Sequence, residues 1–375
     1  MREGWREVRL GEVATCNTSA VPTSSVDLPY IGLEHFDSGS PRIERWARTS
    51  DMEGSGIPVR AGDVLFSKLR PYLRKVAVAE AEALCSTEVL VWRTSDAVST
   101  DQTFLSLVLR SDQAIDFANS RATGTRMPRT SVKGMSALPI TLPPLDEQRR
   151  IVDLIAAVDD AIEAAEREVN SLGKSLDAMR RSRIEYAEDK VDFQQVVTLQ
   201  RGFDLPVSSR RNGDVVVMSS SGPHGFHDET PVVAPGVVTG RSGTIGMVHY
   251  SERPFWPLNT ALWVSDFHGN DPKYVRYLLQ SMHLEEHAGG STVPSLNRNV
   301  LSKVQVHMPP LAAQKQIVEQ LEAVEDSIDT ARATADSLKT LRSNLLTVLL
   351  SGEHEIPESY DQFLNLDDAT GSTAA

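Results

Sequence analysis

Apolar residues recur at alternating steps of four and three over two long stretches of the chain. In the first stretch they are Ile151, Ile155, Val158, Ile162, Ala165, Val169, Leu172, Leu176 and Met179. In the second they are Ile317, Leu321, Val324, Ile328, Ala331, Ala335, Leu338, Leu341, Leu345 and Val348. Such steps put one narrow stripe on a single face of a helix, as in a coiled coil. Each stretch predicts a helix of about 35 residues, on the order of 50 Å at ~1.5 Å rise per residue. A stripe that long must be buried against another helix, and the nearest is the other stretch. Shorter apolar runs predict strands: LPYIGL, GDVLFSK, KVAVAE and STEVLVWR before the first stretch, then DVVVMSSS, GVVTGRSGTIGMVHY and TALWVSD between the two. Each set of strands is followed by one helical pattern, QTFLSLVLRSDQAIDFAN in the first case and PKYVRYLLQSMHLEEHA in the second. The expected class is therefore α+β, two similar domains separated by two long helices.

The two halves are copies. Leu142–Leu172 and Met308–Leu338 align without a gap, with Pro143/Pro309, Pro144/Pro310, Leu145/Leu311, Gln148/Gln314, Ile151/Ile317 and Asp160/Asp326 in register, and the register runs back to Pro128/Pro294. The Pro-Pro step forbids helix before it and holds the chain extended. The boundaries that follow are 1–141 for the first globular segment, 142–188 for the first helix, 189–307 for the second segment, 308–352 for the second helix and 353–375 for an acidic tail expected to be disordered. Antiparallel pairing is expected, because the second segment then leaves one end of the helix pair and returns at the other. The seam would run through Ile151, Ile155, Val158, Ile162, Val169 and Leu172 against Ile317, Leu321, Val324, Ile328, Leu338 and Leu345.

Charge complicates a nucleic-acid reading, since the net formal charge is −13 and phosphates are neutralised by Lys and Arg. Much of the acid lies in the helical stretches and the tail, which leaves the globular segments room for basic loops. In the first segment these carry Lys68, Arg70, Arg74 and Lys75, then Arg121, Arg126, Arg129 and Lys133. In the second they carry Arg241 and Ser242, then Asn297, Arg298 and Lys303. Long polar side chains on loops beside a sheet suit phosphates and base edges. Their ordinary alternative, solvated surface cations, is weakened by recurrence in both copies.

The segments LPYIGLEHFDSGSP, GDVLFSKLRPYLRKVAVA, TGTRMP and LPPLDEQRRIVDLI together resemble the specificity subunit of type I restriction–modification enzymes. The Pro-Pro-Leu-x-x-Gln signature, present twice, is the most specific mark, although Ala312 and Ala313 replace Asp146 and Glu147 in the second copy. The resemblance covers nearly the whole chain. It implies two target-recognition domains, each reading half of a bipartite double-stranded DNA site, with the helices setting the gap and docking two methyltransferase subunits. Restriction or translocase subunits would join these partners. It also implies a chain with no catalytic residues and no cofactor of its own, S-adenosylmethionine belonging to the methyltransferases.

Other readings are weaker. A coiled-coil scaffold that binds only protein fits the helices but not the duplicated basic loops. His283-Leu284-Glu285-Glu286-His287 matches a zinc-hydrolase pattern, on a helix that would place both imidazoles one turn apart. No third ligand stands out, so no metal is expected. Gly173-Lys174-Ser175 has Glu168 where a phosphate loop needs its first glycine. His224 and His227 read as surface residues of a Gly/Pro loop. Cys16 and Cys85 have no metal or disulfide spacing, and neither a signal peptide nor a membrane span is apparent, so a cytoplasmic location is expected.

Overall fold

The computed structural model describes residues 4–185, 190–290, 294–357 and 359–360. The outer part of the expected disordered tail, 361–375, lies outside the described residues. The chain divides into two compact units, Met1–Ala164 with Ala335–Ala375, and Ala165–Thr334.

The first unit carries strands β1 (Arg6–Arg9), β2 (Ala14–Asn17), β3 (Val21–Pro22), β4 (Pro29–Ile31), β5 (Ala47–Arg48), β6 (Ser55–Val59), β7 (Val64–Ser67), β8 (Val76–Val78), β9 (Ala83–Ser86), β10 (Val89–Thr94) and β11 (Pro139–Leu142). Its helices are α1 (Leu10–Val13), α2 (Gln102–Arg110), α3 (Asp112–Ser120), α4 (Val132–Ser136) and the start of the long α5 (Leu145–Arg180). The second unit holds β12 (Lys190–Asp192), β13 (Thr198–Arg201), β14 (Val215–Ser219), β15 (Gly222–His227), β16 (Gly236–Gly240), β17 (Val248–Ser251), β18 (Phe255–Pro257), β19 (Ala261–Asp266) and β20 (Gln305–His307). Helices α6 (Pro272–Ser281), α7 (Arg298–Leu301) and the start of α8 (Leu311–Ser351) complete it.

Strand order repeats in the two units. The main sheet is β2-β10-β7-β8 in one and β13-β19-β16-β17 in the other. A two-stranded ribbon, β1 with β11 or β12 with β20, precedes each long-helix start, and Val8 faces Ile140 where Val191 faces Val306. The third sheet differs. It has order β3-β6-β9-β4-β5 in the first unit and β15-β14-β18 in the second. Three strands are common to both, a parallel pair (β4 with β9, β14 with β18) followed by an antiparallel one (β4 with β5, β14 with β15), and the first unit adds β6 and β3 beyond β9.

Each domain core continues into the helices. In the first unit Trp92, Phe104, Leu105 and Leu109 pack with Ile151 and Ile155 near the start of α5 and Leu346, Leu349 and Leu350 near the end of α8. In the second, Tyr274, Tyr277 and Leu278 pack with Leu176 and Met179 near the end of α5 and Ile317, Val318 and Leu321 near the start of α8. One helix's beginning meeting the other's end, twice over, makes the pair antiparallel. Among the expected seam residues, Ile151, Ile155, Leu321 and Ile328 are buried, while Val158, Ile162, Val169, Leu172, Ile317, Val324, Leu338 and Leu345 are half-buried.

The clamp behind the Pro-Pro-Leu-x-x-Gln signature is the glutamine. Gln148 is fully buried; its Oε1 accepts from Asp101 N at 2.8 Å, and its Nε2 donates to Ser99 O at 3.0 Å and Pro143 O at 2.9 Å. Gln314 repeats this, accepting from Asp271 N at 2.9 Å and donating to Asn270 Oδ1 at 2.9 Å and Pro309 O at 2.8 Å. Asp101 and Asp271 are in turn the N-caps of α2 and α6, each accepting two backbone N–H groups. The amide thus ties the long helix to the first turn of the domain helix.

Several sequence expectations are corrected. The helix expected over 102–119 is two, because Ser111 leaves helical backbone and its hydroxyl caps Ala114 N. The helix expected through Ala288 stops at Ser281; His283 has φ 47°, and a separate 3₁₀ turn covers Leu284–His287. Leu341 is 51% exposed, because the buried positions on α8 run Leu321, Ile328, Ala335 and Leu349, with Arg342 at the heptad step between the last two. His227 is buried, not a surface residue. It lies in β15, its Nδ1 accepts from Arg211 N at 3.1 Å, and its ring meets Trp256 edge-on at 5.3 Å. His224 is exposed as expected.

Candidate nucleic-acid interface

In each unit the basic loops of the sequence are joined by one set of backbone hydrogen bonds. In the first, Thr130 N donates to Lys68 O at 2.9 Å, and Thr123 and Arg129 exchange both backbone bonds at 2.9 Å. In the second, Leu296 N donates to Arg241 O at 2.8 Å, and Gly289 and Ser295 exchange theirs at 3.0 and 2.9 Å. Leu69 bridges Arg129 as Ser242 bridges Ser295. The turn after β7 or β16 is therefore stitched to the loop before α4 or α7, in matching register.

The second unit brings its predicted residues together. Arg241, Asn297 and Arg298 line a cleft of about 690 Å³ with Gln200, Arg201 and Phe203. Arg241 Nη1 donates to Asn259 O at 2.9 Å and Arg298 Nη1 to Leu199 O at 3.1 Å. Each guanidinium has five N–H donors, so most of them remain for a ligand. Asp204 also lines the cleft, engaged by Asn259 Nδ2. Asn297 caps α7 through Asn299 N at 3.0 Å, and the exposed Lys303 follows that helix. Gly240 makes the loop possible: a Cβ there would stand 1.9 Å from Thr244 O, so any side chain would displace the turn that carries Arg241. Gln200 and Arg201 were not singled out in the sequence. The available signal was a Gln-Arg pair ending a strand just before Gly202.

The first unit scatters its predicted cations more. Arg126 is exposed, and Lys133 is exposed on α4. Arg70 sits in left-handed backbone at φ 50°, its N donating to Pro128 O at 2.8 Å while its Nε is buried without a partner. Arg129 pairs with Glu88 at 3.0 Å, and Arg121 lies over the Phe117 ring at 5.2 Å. Lys68 Nζ donates to Thr87 O, Lys75 Nζ to Leu33 O at 2.6 Å, and Arg74 binds Asp112 at 2.6 Å. These last three are turned toward the domain's own groups.

The profile of the type I restriction modification DNA specificity domain matches residues 2–172 and 207–340. The chain belongs to the type I restriction–modification specificity family. Among curated relatives of this family, the MjaVIII specificity subunit of Methanocaldococcus jannaschii is 21% identical, over 94% of this chain and 93% of its own. The EcoDI specificity subunit of Escherichia coli is 29% identical over 44% of this chain and 37% of its own. The fold matches a chain solved in work on assembly and conformational transition of the type I R-M system, with TM-score 0.68, 21% identity and coverage of 94% and 99%. It also matches the HsdS subunit of Thermoanaerobacter tengcongensis, with TM-score 0.51, 20% identity and coverage of 94% and 98%. Specificity subunits are the non-catalytic members of type I systems. The zinc-hydrolase pattern does not survive the fold: His283 is outside the helix, so the two imidazoles do not share an α-helical face. Among the described residues no group of three His, Cys, Asp or Glu is placed to hold a metal, and no helix is long and apolar enough to cross a membrane.

Proposed function

We propose that this specificity subunit reads a bipartite sequence in double-stranded DNA, one half through the stitched loop pair of each unit. The observation that carries the reading is the repeated backbone lattice, Lys68–Thr130 in one unit and Arg241–Leu296 in the other, with Arg70, Arg126 and Arg129 on the first pair of loops and Arg241 on the second, where Arg298 opens the helix that follows. Phosphate contacts from such loops fix position, and base-edge contacts supply sequence. The third sheet, which has two more strands in the first unit than in the second, gives each half its own reading surface. The long helices set the distance between halves and dock two methyltransferase subunits, which hold S-adenosylmethionine; restriction or translocase subunits join that complex in the cytoplasm. The exposed acid along α5 and α8 offers those partners a charged face.

The test is a footprint of the chain assembled with its methyltransferase partners. Arg241→Ala with Arg298→Ala should blur contacts at one half-site and leave the other intact. Arg70→Ala with Arg126→Ala should do the converse. Loss of both halves in either variant, or binding indifferent to sequence and salt, would overturn the proposal in favour of a protein-only scaffold.

A further inference from the structure

In the first unit three arginines converge where the end of α8 lies against the α2–α3 junction. Arg110 ends α2, Arg74 comes from the turn after β7, and Arg342 comes from α8. With Lys339, Ser111 and Asp112 they line a cavity of about 170 Å³, and the same three arginines line a second of about 70 Å³ beside it. Two of the arginines have carboxylates. Arg74 binds Asp112 at 2.6 Å, and Arg342 binds Asp159 through a paired contact whose Nη2–Oδ2 arm is 3.0 Å. Arg110 has no carboxylate within bridging distance among the described residues; its Nη2 reaches only Gly39 O, at 3.4 Å. Burial, reinforced by Arg342 and opposed by Asp159, pushes its guanidinium down to about 10.

The second unit has no such imbalance at its matching acid. Glu325, in register with Asp159, takes Arg276 at 2.7 Å and the Tyr277 hydroxyl at 2.8 Å, both from the domain's own helix. The neighbouring Lys273 takes Glu322 at 2.6 Å. In the first unit Asp159 is instead claimed by Arg342, whose register partner on α5 is the apolar Leu176. The result is a surplus cation in a partly desolvated place, which is costly unless an anion answers it. The nine-residue α3 also begins here, and its positive dipole end faces the cavity rim at Ser111 and Asp112.

We infer that this junction is an oxyanion site for a phosphate group, held by Arg110 with Arg74 and Arg342 around it. Guanidiniums arriving from three segments suit a tetrahedral anion with several free oxygens, whereas a single planar carboxylate would satisfy one fork. The larger space opens to solvent and has room for a phosphate group. The inference does not rest on the proposed DNA reading, and the phosphate titration tests it without DNA.

Inorganic phosphate is titrated into the full chain at constant ionic strength set with chloride, by calorimetry and by thermal shift. One saturable site per chain and a raised Tm are expected. Arg110→Met should weaken binding by about tenfold or more, the loss of a charge-assisted pair. Asp112→Asn, at a side chain 58% exposed, should tighten it by freeing Arg74, and guards against a variant that simply unfolds. Arg332→Ala, exposed on α8, paired with Asp329 and outside the cavity, should change nothing. Phosphate no better than chloride, or equal affinity in wild type and both Arg110→Met and Asp112→Asn, overturns the inference. An arbitrary short duplex separates the sources: displacement of phosphate, with duplex binding weakened in Arg110→Met, supports the site with a DNA phosphodiester as its ligand. Retained phosphate binding without displacement supports it with a free phosphate.

Discussion

Gln148 is wholly inside the protein, and both ends of its amide are engaged by backbone: Asp101 N on one side, Ser99 O and Pro143 O on the other. Gln148→Ala would leave those groups buried and unpaired, costing about 2–4 kcal/mol. Hydrogen exchange should show lost protection first at the start of α2. The salt bridge beneath the Ala-Gly-Asp turn is similar in kind. Asp63 is buried, binds Arg93 through two contacts of 2.6 Å and accepts Arg60 N at 2.8 Å. That carboxylate holds the turn against the sheet. Burial also governs the thiols, pushing Cys16 up to about 11 and Cys85 up to about 12. Since the thiolate is the reactive form, neither should be alkylated at neutral pH in the native chain, and both should react after denaturation. Rapid labelling of the native protein would contradict this burial.

Along the helices, periodicity identified both long elements and connectivity their antiparallel pairing, but the stripe slipped near the end of α8. Leu341 is exposed and Arg342 occupies the inward step, because Asp159 across the seam supplies a charge partner that no apolar count reveals. Leu346→Ala should therefore cost about 2–4 kcal/mol, as a buried leucine does, while Leu341→Gln should stay within about 0.5 kcal/mol; denaturant midpoints would separate them. The domain helices show the opposite failing. Their apolar patterns ran on past Ser111 and Ser281, where a hydroxyl cap and a left-handed His283 end the helix. At the close turn following β16, Gly240→Ala should disorder the Arg241 loop and weaken DNA binding more than Arg241→Ala alone, without unfolding the main sheet.

For the molecule as a whole, a net charge of −13 means that any DNA affinity must come from local cations, and its salt dependence would measure how many. Arg126→Ala should lower the slope of log affinity against log salt by about one, if Arg126 meets a phosphate. If the helices act as the spacer, adding one helical turn to both α5 and α8 should change the gap between half-sites, mapped by methylation, and leave the half-sites unchanged. A variant that kept the original gap would detach spacing from the helices.

Duplication, the Pro-Pro-Leu-x-x-Gln signature and the heptad stripe were all legible in the chain, since each is a local or strictly periodic pattern, and together they determined the α+β plan and the family. The partners of individual charges were not. Whether Arg74 meets Asp112, Arg241 opens on a cleft or Arg110 lacks an acid depends on residues tens to hundreds of positions apart. Only tertiary packing, by choosing which carboxylate each cation reaches first, decided which basic side chains are held inward and which are left for a ligand.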